Sequence, residues 1–251
     1  MKRSIVIAFE GLDNCFKQTN YELFVDFLNV NKWYSVKTES FPRYGNWAAI
    51  AAEKWLDGSL DRNHLKNNKQ ALVSLYSIDR FAYWYESVHG MKRNIDTYQT
   101  DPLTMFIFDR YNISNAIYNP MNGTDVQVSD LTYDNDVYGI PKPDIVVWLK
   151  MSNFDVYSKM LMEKSNKDEN EKDLAFIKEI YDRSEKAIGS SVFKDAGIHL
   201  IPIDVLDCDR ESIRSREDIF EEVWNSIIRT IDIIHDENGI DDFIPMNEDN
   251  K

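Results

Sequence analysis

The stretch Ile5-Val-Ile-Ala-Phe-Glu-Gly-Leu-Asp-Asn-Cys-Phe-Lys-Gln-Thr-Asn20 begins with an apolar run typical of a buried strand and continues into a turn that carries a lysine. The residues after the turn place apolar side chains at helical spacing, at Leu23, Phe24, Phe27 and Leu28. A phosphate-binding loop needs this strand, turn and helix, because backbone N–H groups of the turn and the helix N-terminus hold the phosphate oxygens. Gly11 and Lys17 have the spacing of the glycine and the lysine in such a loop. The pattern favours a phosphate site over an ordinary strand-to-helix turn.

Two residues of this loop depart from the usual pattern. Phe16 replaces the glycine that usually precedes the lysine, and a positive φ at this position would strain a phenylalanine or reshape the loop. Gln18 replaces the hydroxyl residue that usually binds Mg²⁺, and Thr19 follows one position later. We predict that Gln18 still contributes to a metal site, although its amide oxygen is the poorer ligand.

The chain has 251 residues, 43% of them hydrophobic, and a formal net charge of −14 at pH 7. Its length predicts one domain over residues 1–235. The flexible tail expected at 236–251 contains six acidic residues and one lysine. The acidic balance argues against a nucleic-acid partner, since proteins that bind polyphosphate backbones normally present a basic face.

The two cysteines and the apolar runs indicate where the protein works. Cys15 and Cys208 lie far apart and lack metal-ligand spacing, which indicates a reducing compartment. In the loop, Cys15 is expected to be a small packing residue rather than a reactive thiol. No apolar run resembles a leader or a membrane span, so we expect a cytoplasmic protein that does not bind a membrane.

Short apolar, β-branched runs alternate with helical patterns along the chain. The predicted strands are residues 4–9, 34–39, 104–108, 145–149 and 199–203. Strands separated by helices predict an α/β fold, a parallel sheet with helices on both faces. Ligands of such sheets bind beyond the carboxyl ends of the strands, so the polar residues that follow each strand are the functional candidates.

Several of these candidates are suited to a phosphorylated ligand. Arg43 follows the second strand and can bind a phosphate bidentately, although a surface arginine is an equal alternative. Asp109 and Arg110 follow the third strand, where P-loop enzymes hold Mg²⁺ and place an arginine for substrate phosphate. Tyr76 and Arg80 share one face of a helix predicted over 70–85, where Tyr76 is more often a core residue than a base platform.

Two later segments are polar. Residues 119–143 contain turn signals and are predicted to be an irregular surface excursion. Residues 160–173 are dense in both charges, and we interpret them either as a solvated loop or as a lid that closes over a nucleotide. In the second case Lys164 or Lys167 would supply positive charge. Helices are expected at 48–56, 174–188 and 216–234.

From residue 4 to 230 the chain resembles thymidylate kinases. The resemblance rests on Phe9-Glu-Gly-Leu-Asp13 with Lys17, Phe41-Pro-Arg-Tyr-Gly45, Tyr76-Ser-Ile-Asp-Arg80, Asp109-Arg-Tyr111 with Ser114, Asn115 and Tyr118, and Gly139-Ile-Pro-Lys-Pro-Asp144. Each motif alone is weak, but their order and spacing are specific. The resemblance implies the P-loop nucleoside monophosphate kinase fold, with a five-stranded parallel sheet, and a homodimer. A phenylalanine at position 16 is similar to phage-encoded members.

The resemblance also implies a role for each site residue. The ATP-binding residues would be Gly11, Asn14, Cys15, Phe16, Lys17, Gln18 and Thr19. The catalytic residues would be Lys17, Asp13, Asp109, Lys164 and Lys167, with Asp109 and Gln18 serving Mg²⁺. The substrate-binding residues would be Asp13, Phe41, Arg43, Tyr76, Arg80, Arg110, Tyr111, Ser114, Asn115 and Tyr118. Arg43 and Arg110 would bind the monophosphate, while Tyr76 would stack on a pyrimidine whose edge Arg80 and Asn115 read.

The leading hypothesis is therefore an enzyme that uses ATP with Mg²⁺ to phosphorylate dTMP, with dUMP as a second or preferred substrate. Neither the loop nor the lid contains the catalytic arginine that the family places there, so Lys164, Lys167 or Lys172 would replace it. The rival hypothesis is a nucleotide-binding or scaffolding protein whose phosphate loop has decayed. Retention of Asp13, Lys17 and Asp109 favours the enzyme, because a decayed site would have little reason to keep charged residues together.

Overall fold

Five parallel strands form the centre of the structure, a computed structural model that describes residues 3–32, 34–87, 91–163 and 173–237. In sheet order they are β2 (Ser35–Ser40), β3 (Thr104–Asp109), β1 (Ile5–Gly11), β4 (Ile145–Lys150) and β5 (His199–Asp204). All four neighbouring pairs are parallel. The predicted α/β fold and its strands are confirmed, and the carboxyl ends of β1, β2 and β3 meet at one edge.

Helices cover both faces of this sheet. The described helices are α1 (Lys17–Asn31), α2 (Ile50–Leu56), α3 (Arg62–Asn67), α4 (Lys69–Tyr85), α5 (Asn94–Thr100), α6 (Ile113–Tyr118), α7 (Val128–Tyr138), α8 (Phe154–Glu163), α9 (Leu174–Ile188), α10 (Val192–Asp195) and α11 (Arg216–Glu237). None of the helices in the described ranges is long and apolar enough to cross a membrane.

The core lies between the central strands and the helices beside them. The seven residues of β1 are all buried, as expected for a strand that is covered on both faces. On one face α1 meets α11, where the rings of Phe24 and Trp224 lie 5.6 Å apart. One hydrophobic cluster extends from Ile5 in β1 to Ile234 in α11.

The segment 119–143, predicted to be irregular, contains the helix α7. Asp130 closes a capping box with Gln127 at its start, and Gly139 ends it with a φ of 67°. The helix was missed because two of its buried side chains are carboxylates, Asp130 and Asp134, which give no apolar periodicity.

Two other predicted segments differ at their bounds. α8, which was not predicted, continues through Glu163 and therefore occupies the first residues of the predicted lid at 160–173. Lys164, Lys167 and Lys172 lie outside the described residues. α11 continues to Glu237, two residues into the predicted tail.

Candidate active site

The loop between β1 and α1 is bounded by two residues of positive φ, Gly11 and Phe16. At its start Gly11 has a φ of 144°, and a Cβ there would lie 2.3 Å from the Leu149 carbonyl oxygen, which excludes any other residue. At its end Phe16 has a φ of 55° and precedes α1. Its carbonyl oxygen accepts from the backbone N–H of Asn20 at 3.1 Å and from Asn20 Nδ2 at 2.9 Å. Phe16 therefore keeps a glycine-like backbone, which costs about 1–2 kcal/mol for an L-residue.

Lys17 is the first residue of α1 and is only 8% exposed. Burial lowers the pKa of Lys17, and the positive charge of Arg110 lowers it further, while Asp13, Asp109 and Glu10 oppose both. Lys17 is therefore a buried ammonium at the start of a helix, with charged groups of both signs around it. A helix N-terminus is also where backbone N–H groups can hold a phosphate.

Asp109, at the end of β3, is suited to Mg²⁺. Its Oδ2 accepts from Ser40 Oγ at 3.1 Å, whereas its buried Oδ1 has no hydrogen-bond partner among the described residues. In the same ranges no group of three or more His, Cys, Asp or Glu side chains could hold a metal ion. Mg²⁺ commonly binds through one or two carboxylates together with substrate phosphates, and the unpaired oxygen of Asp109 fits that mode.

Gln18, the other predicted metal ligand, lies on the exposed face of α1. Its Nε2 donates to Glu22 Oε1 at 2.9 Å, one helical turn further along. This arrangement gives Gln18 a local surface role and favours Asp109 as the metal ligand.

Arg110 and Asp13 form an ion pair between β3 and the phosphate loop. Their side chains are 27% and 29% exposed, and Arg110 Nη1 also donates to Ser114 Oγ at 3.3 Å. Burial opposes the charge of Arg110, but Asp13 raises its pKa above the ordinary value. We call Asp13, Lys17, Asp109 and Arg110 the phosphate end of the site.

Arg43 is held by Asp79 of α4. Arg43 Nε donates to Asp79 Oδ1 at 2.7 Å, and the backbone N–H of Arg43 donates to Oδ2 at 2.7 Å. Its Nη2 donates to the carbonyl oxygen of Asp79 at 3.0 Å. The aspartate thus fixes both the backbone and the guanidinium of this predicted phosphate ligand.

Arg80 lies beside Asp134 of α7, and their side chains are 2% and 3% exposed. Arg80 Nε donates to Asp134 Oδ2 at 2.5 Å, and Ser77 Oγ donates to Asp134 Oδ1 at 2.6 Å. Burial disfavours the charge of Arg80, but Asp134 raises its pKa above the ordinary value. Together with Tyr76, these residues form what we call the base end.

A cavity of about 500 Å³ connects the two ends. Of the predicted substrate residues it is lined by Asp13, Phe41, Tyr76, Arg80, Arg110, Tyr111, Ser114, Asn115 and Tyr118. Asn115 is buried, and its Nδ2 has no hydrogen-bond partner in the described part of the chain. Lys17, Asp109 and Arg43 do not line this cavity, although Asp79, the partner of Arg43, does.

The remaining predicted residues have packing roles as well. The hydroxyl of Tyr111 accepts from Trp84 Nε1 at 2.6 Å and donates to the Pro141 carbonyl oxygen at 2.8 Å. Phe41 is buried, with its ring edge-on to Tyr83 at 5.6 Å. Burial raises the pKa of Cys15 to about 12, as expected for a packing residue rather than a reactive thiol.

Glu10 belongs to the motif Phe9-Glu-Gly-Leu-Asp13, but sequence reasoning assigned it no role. Its Oε1 accepts from the backbone N–H of Tyr111 at 2.8 Å and of Ile113 at 3.1 Å, and its Oε2 accepts from Ser114 Oγ. The carboxylate thereby fixes the chain that carries Arg110. A charged residue inside the apolar β1 run was the available signal.

Arg183 of α9 was also missed. It lines the cavity, and it donates to the carbonyl oxygens of Thr124 at 2.6 Å and Ile117 at 2.7 Å. Its position in a helix pattern carried no signal for the site, since its side-chain partner Glu179 lies one turn earlier on the same helix and its backbone partners are 59 and 66 residues away.

The chain resembles known proteins in sequence and in fold. No family model matches the chain. The thymidylate kinase of Caenorhabditis elegans is 30% identical over 155 residues, a match that covers 60% of this chain and 65% of that protein.

Two solved structures match over nearly the whole chain. The thymidylate kinase of Candida albicans, described as having broad substrate specificity, has a TM-score of 0.59 and 18% identity, covering 92% of this chain and 93% of that one. The thymidylate kinase of Ehrlichia chaffeensis has a TM-score of 0.53 and 16% identity, covering 90% and 98%. The resemblance indicated by the motifs is confirmed, and the chain has the fold of the thymidylate kinases.

Proposed function

We propose that this protein transfers the γ-phosphoryl group of ATP to a deoxypyrimidine monophosphate, with dTMP as the main substrate and dUMP as the second. The observation that carries the proposal is the cavity between the two ends of the site. It joins Arg110 and Asp13, beside the phosphate loop, to Tyr76 and Arg80. A monophosphate needs such a cavity, with an arginine for its phosphate at one end and an aromatic ring for its base at the other.

In this reaction a phosphate oxygen of the monophosphate attacks the γ-phosphorus, the bond from that phosphorus to the bridging oxygen breaks, and ADP leaves. Lys17 would hold the phosphates of ATP, and Arg110 would hold the attacking phosphate. Mg²⁺, bound near Asp109, would neutralise charge on the phosphate oxygens. Little covalent chemistry is required of the protein, so positioned charge supplies most of the rate.

The expected preference for thymine and uracil over cytosine follows from the hydrogen-bond donors that the site presents to the base. Arg80 offers N–H groups, and the unpaired Nδ2 of Asn115 offers another. Thymine and uracil present an O4 acceptor, whereas cytosine would present an amino donor and leave buried donors unpaired, a penalty of about 1–3 kcal/mol. One methyl group separates dTMP from dUMP and changes binding by about 1–3 kcal/mol.

A coupled ADP-release assay with ATP and Mg²⁺ tests the proposal. We expect turnover with dTMP, slower turnover with dUMP and the least with dCMP. Binding of dTMP without ADP release at high enzyme concentration would contradict the proposal and support the non-catalytic rival.

The proposal extends to a homodimer through an exposed apolar surface on α4 and α7, formed by Ile78, Phe81 and Val137. The ring of Phe81 stacks on Tyr85 at 4.7 Å and lies 6.4 Å from the ring of Tyr138, so it connects α4 with α7. Light scattering should report a dimer for the wild type and a monomer for Phe81→Glu. The matched control is Val30→Glu, in which an exposed residue of α1 is changed and the dimer should persist. A monomeric wild type would refute this extension.

A further inference from the structure

α7 places a buried carboxylate against the base-reading arginine. Asp134 accepts from Arg80 Nε at 2.5 Å and from Ser77 Oγ at 2.6 Å, so both carboxylate oxygens are occupied. Its backbone carbonyl accepts from the N–H of Ile140 at 3.2 Å, which fixes the end of α7. Asp134 does not line the main cavity and therefore has no contact with a ligand there.

The remaining bonds of Arg80 orient the guanidinium. Its Nη1 donates to the Tyr111 carbonyl oxygen at 3.3 Å, and its Nη2 donates to Ser77 Oγ at 3.4 Å. A guanidinium has five N–H groups. The described residues thus engage three of them, so two N–H groups of this cavity-lining arginine have no protein acceptor in the described part of the chain.

The charge of Arg80 also needs Asp134. Both side chains are almost completely buried, and a neutral pyrimidine cannot balance a buried guanidinium. Because Asp134 neutralises the charge of Arg80, the arginine can donate N–H groups to a neutral base without pairing with another carboxylate of the cavity. Asp13, Asp79 and Glu179 also line that cavity, so other carboxylates are present there.

We propose that Asp134 is a positioning residue that sets base specificity: it holds Arg80 so that a pyrimidine with an O4 acceptor is preferred over one with an amino group. This inference rests on the proposed function. The preference would then depend on a side chain that binds the arginine but does not itself line the main cavity.

α7 also offers a matched control. Asp130 lies one helical turn before Asp134 and is equally buried, and its carboxylate accepts from the backbone N–H groups of Met121 at 2.9 Å and Gln127 at 2.8 Å. It supports the same helix but makes no bond to Arg80. Asp130→Asn therefore measures the effect of weakening α7 alone.

The experiment compares kcat/KM for dTMP and dCMP in the wild type, Asp134→Asn and Asp130→Asn. We expect Asp134→Asn to reduce the ratio of dTMP to dCMP by at least about tenfold, and Asp130→Asn to leave that ratio unchanged. Ser77→Ala, which keeps the ion pair but removes one bond to Asp134, should reduce the ratio less. This milder variant decides the question if Asp134→Asn does not fold.

The outcomes separate the two proposals. A wild type that turns over neither nucleotide refutes the proposed function. A wild type that prefers dTMP, combined with unchanged ratios in Asp134→Asn and Ser77→Ala, overturns the role of Asp134 alone. An equal fall of the ratio in Asp130→Asn would also overturn it, because the effect would then belong to the helix.

Discussion

The two ends of the site hold their arginines in different ways. At the phosphate end the pair Arg110 and Asp13 is partly exposed, and Arg110 has a positive φ of 63°. At the base end the pair Arg80 and Asp134 is buried and shares a third partner, Ser77. Exposed pairs contribute little to stability and exchange partners readily, whereas buried pairs are fixed. The difference suggests that the phosphate end rearranges around its ligand, while the base end is set before the ligand arrives.

The largest expected effect on catalysis is at the phosphate end. Lys17→Ala should lower kcat about a thousandfold, or about 4 kcal/mol, because it removes a positioned charge from the transferring phosphoryl group. Lys54→Ala, which removes a lysine from an exposed ion pair with Asp57, is the control and should keep full activity. A Lys17→Ala enzyme with near wild-type kcat and an intact fold would show that the loop does not bind the transferred phosphate.

Stability should distinguish the two ion pairs. Asp134→Asn leaves a buried guanidinium without its counter-ion and should lower the free energy of unfolding by about 3–5 kcal/mol. Asp13→Asn breaks the more exposed pair and should lower it by about 1 kcal/mol or less. Urea denaturation of both variants measures the difference. Similar losses of unfolding free energy in the two variants would show that the two ion pairs stabilise the fold equally.

Arg110→Ala should affect one substrate more than the other. We expect its KM for the monophosphate to rise about 30-fold, or about 2 kcal/mol, with a much smaller change in the KM for ATP. Arg93→Ala, at an exposed pair with Asp96, should leave both values unchanged. Equal rises for both substrates would mean that Arg110 does not belong to the monophosphate pocket.

The smallest expected effect concerns the strain at Phe16. Phe16→Gly should be more stable than Phe16→Ala by about 1 kcal/mol, since only glycine adopts a φ of 55° freely. At Phe27, inside α1, the order should reverse by about 1 kcal/mol, because alanine is the better helix former. Thermal or urea unfolding of the four variants tests both signs. Greater stability of Phe16→Ala would show that the loop carries no backbone strain.

Much of the phosphate end could be predicted from sequence because its residues follow strands. The apolar runs of β1 and β3 fix where the sheet ends, and topology then brings Lys17, Asp109 and Arg110 to one edge. The side chain of Gln18, the other predicted metal ligand, donates to Glu22 one turn further along α1. Sequence spacing specifies which residue follows the lysine, but not where its side chain turns.

The base end was only half predictable. Tyr76 and Arg80 share a helix face and belong to one recognisable motif, so sequence predicts both for one pocket, and both line the cavity. Asp134 was missed because its segment resembles a polar loop, and its burial depends on a partner 54 residues away. Polar residues that are buried in tertiary pairs give no periodic signal, which is why α7 escaped prediction.

A crystal structure of the protein with bound dTMP and a non-hydrolysable ATP analogue would show both ends of the site with their ligands. We expect the monophosphate to lie against Arg110, with Asp13 displaced from that arginine, and the base edge to meet Arg80 while the bond from Arg80 to Asp134 remains near 2.5 Å. A phosphate bound away from Arg110, or an Arg80 that leaves Asp134 to reach the base, would contradict this expectation.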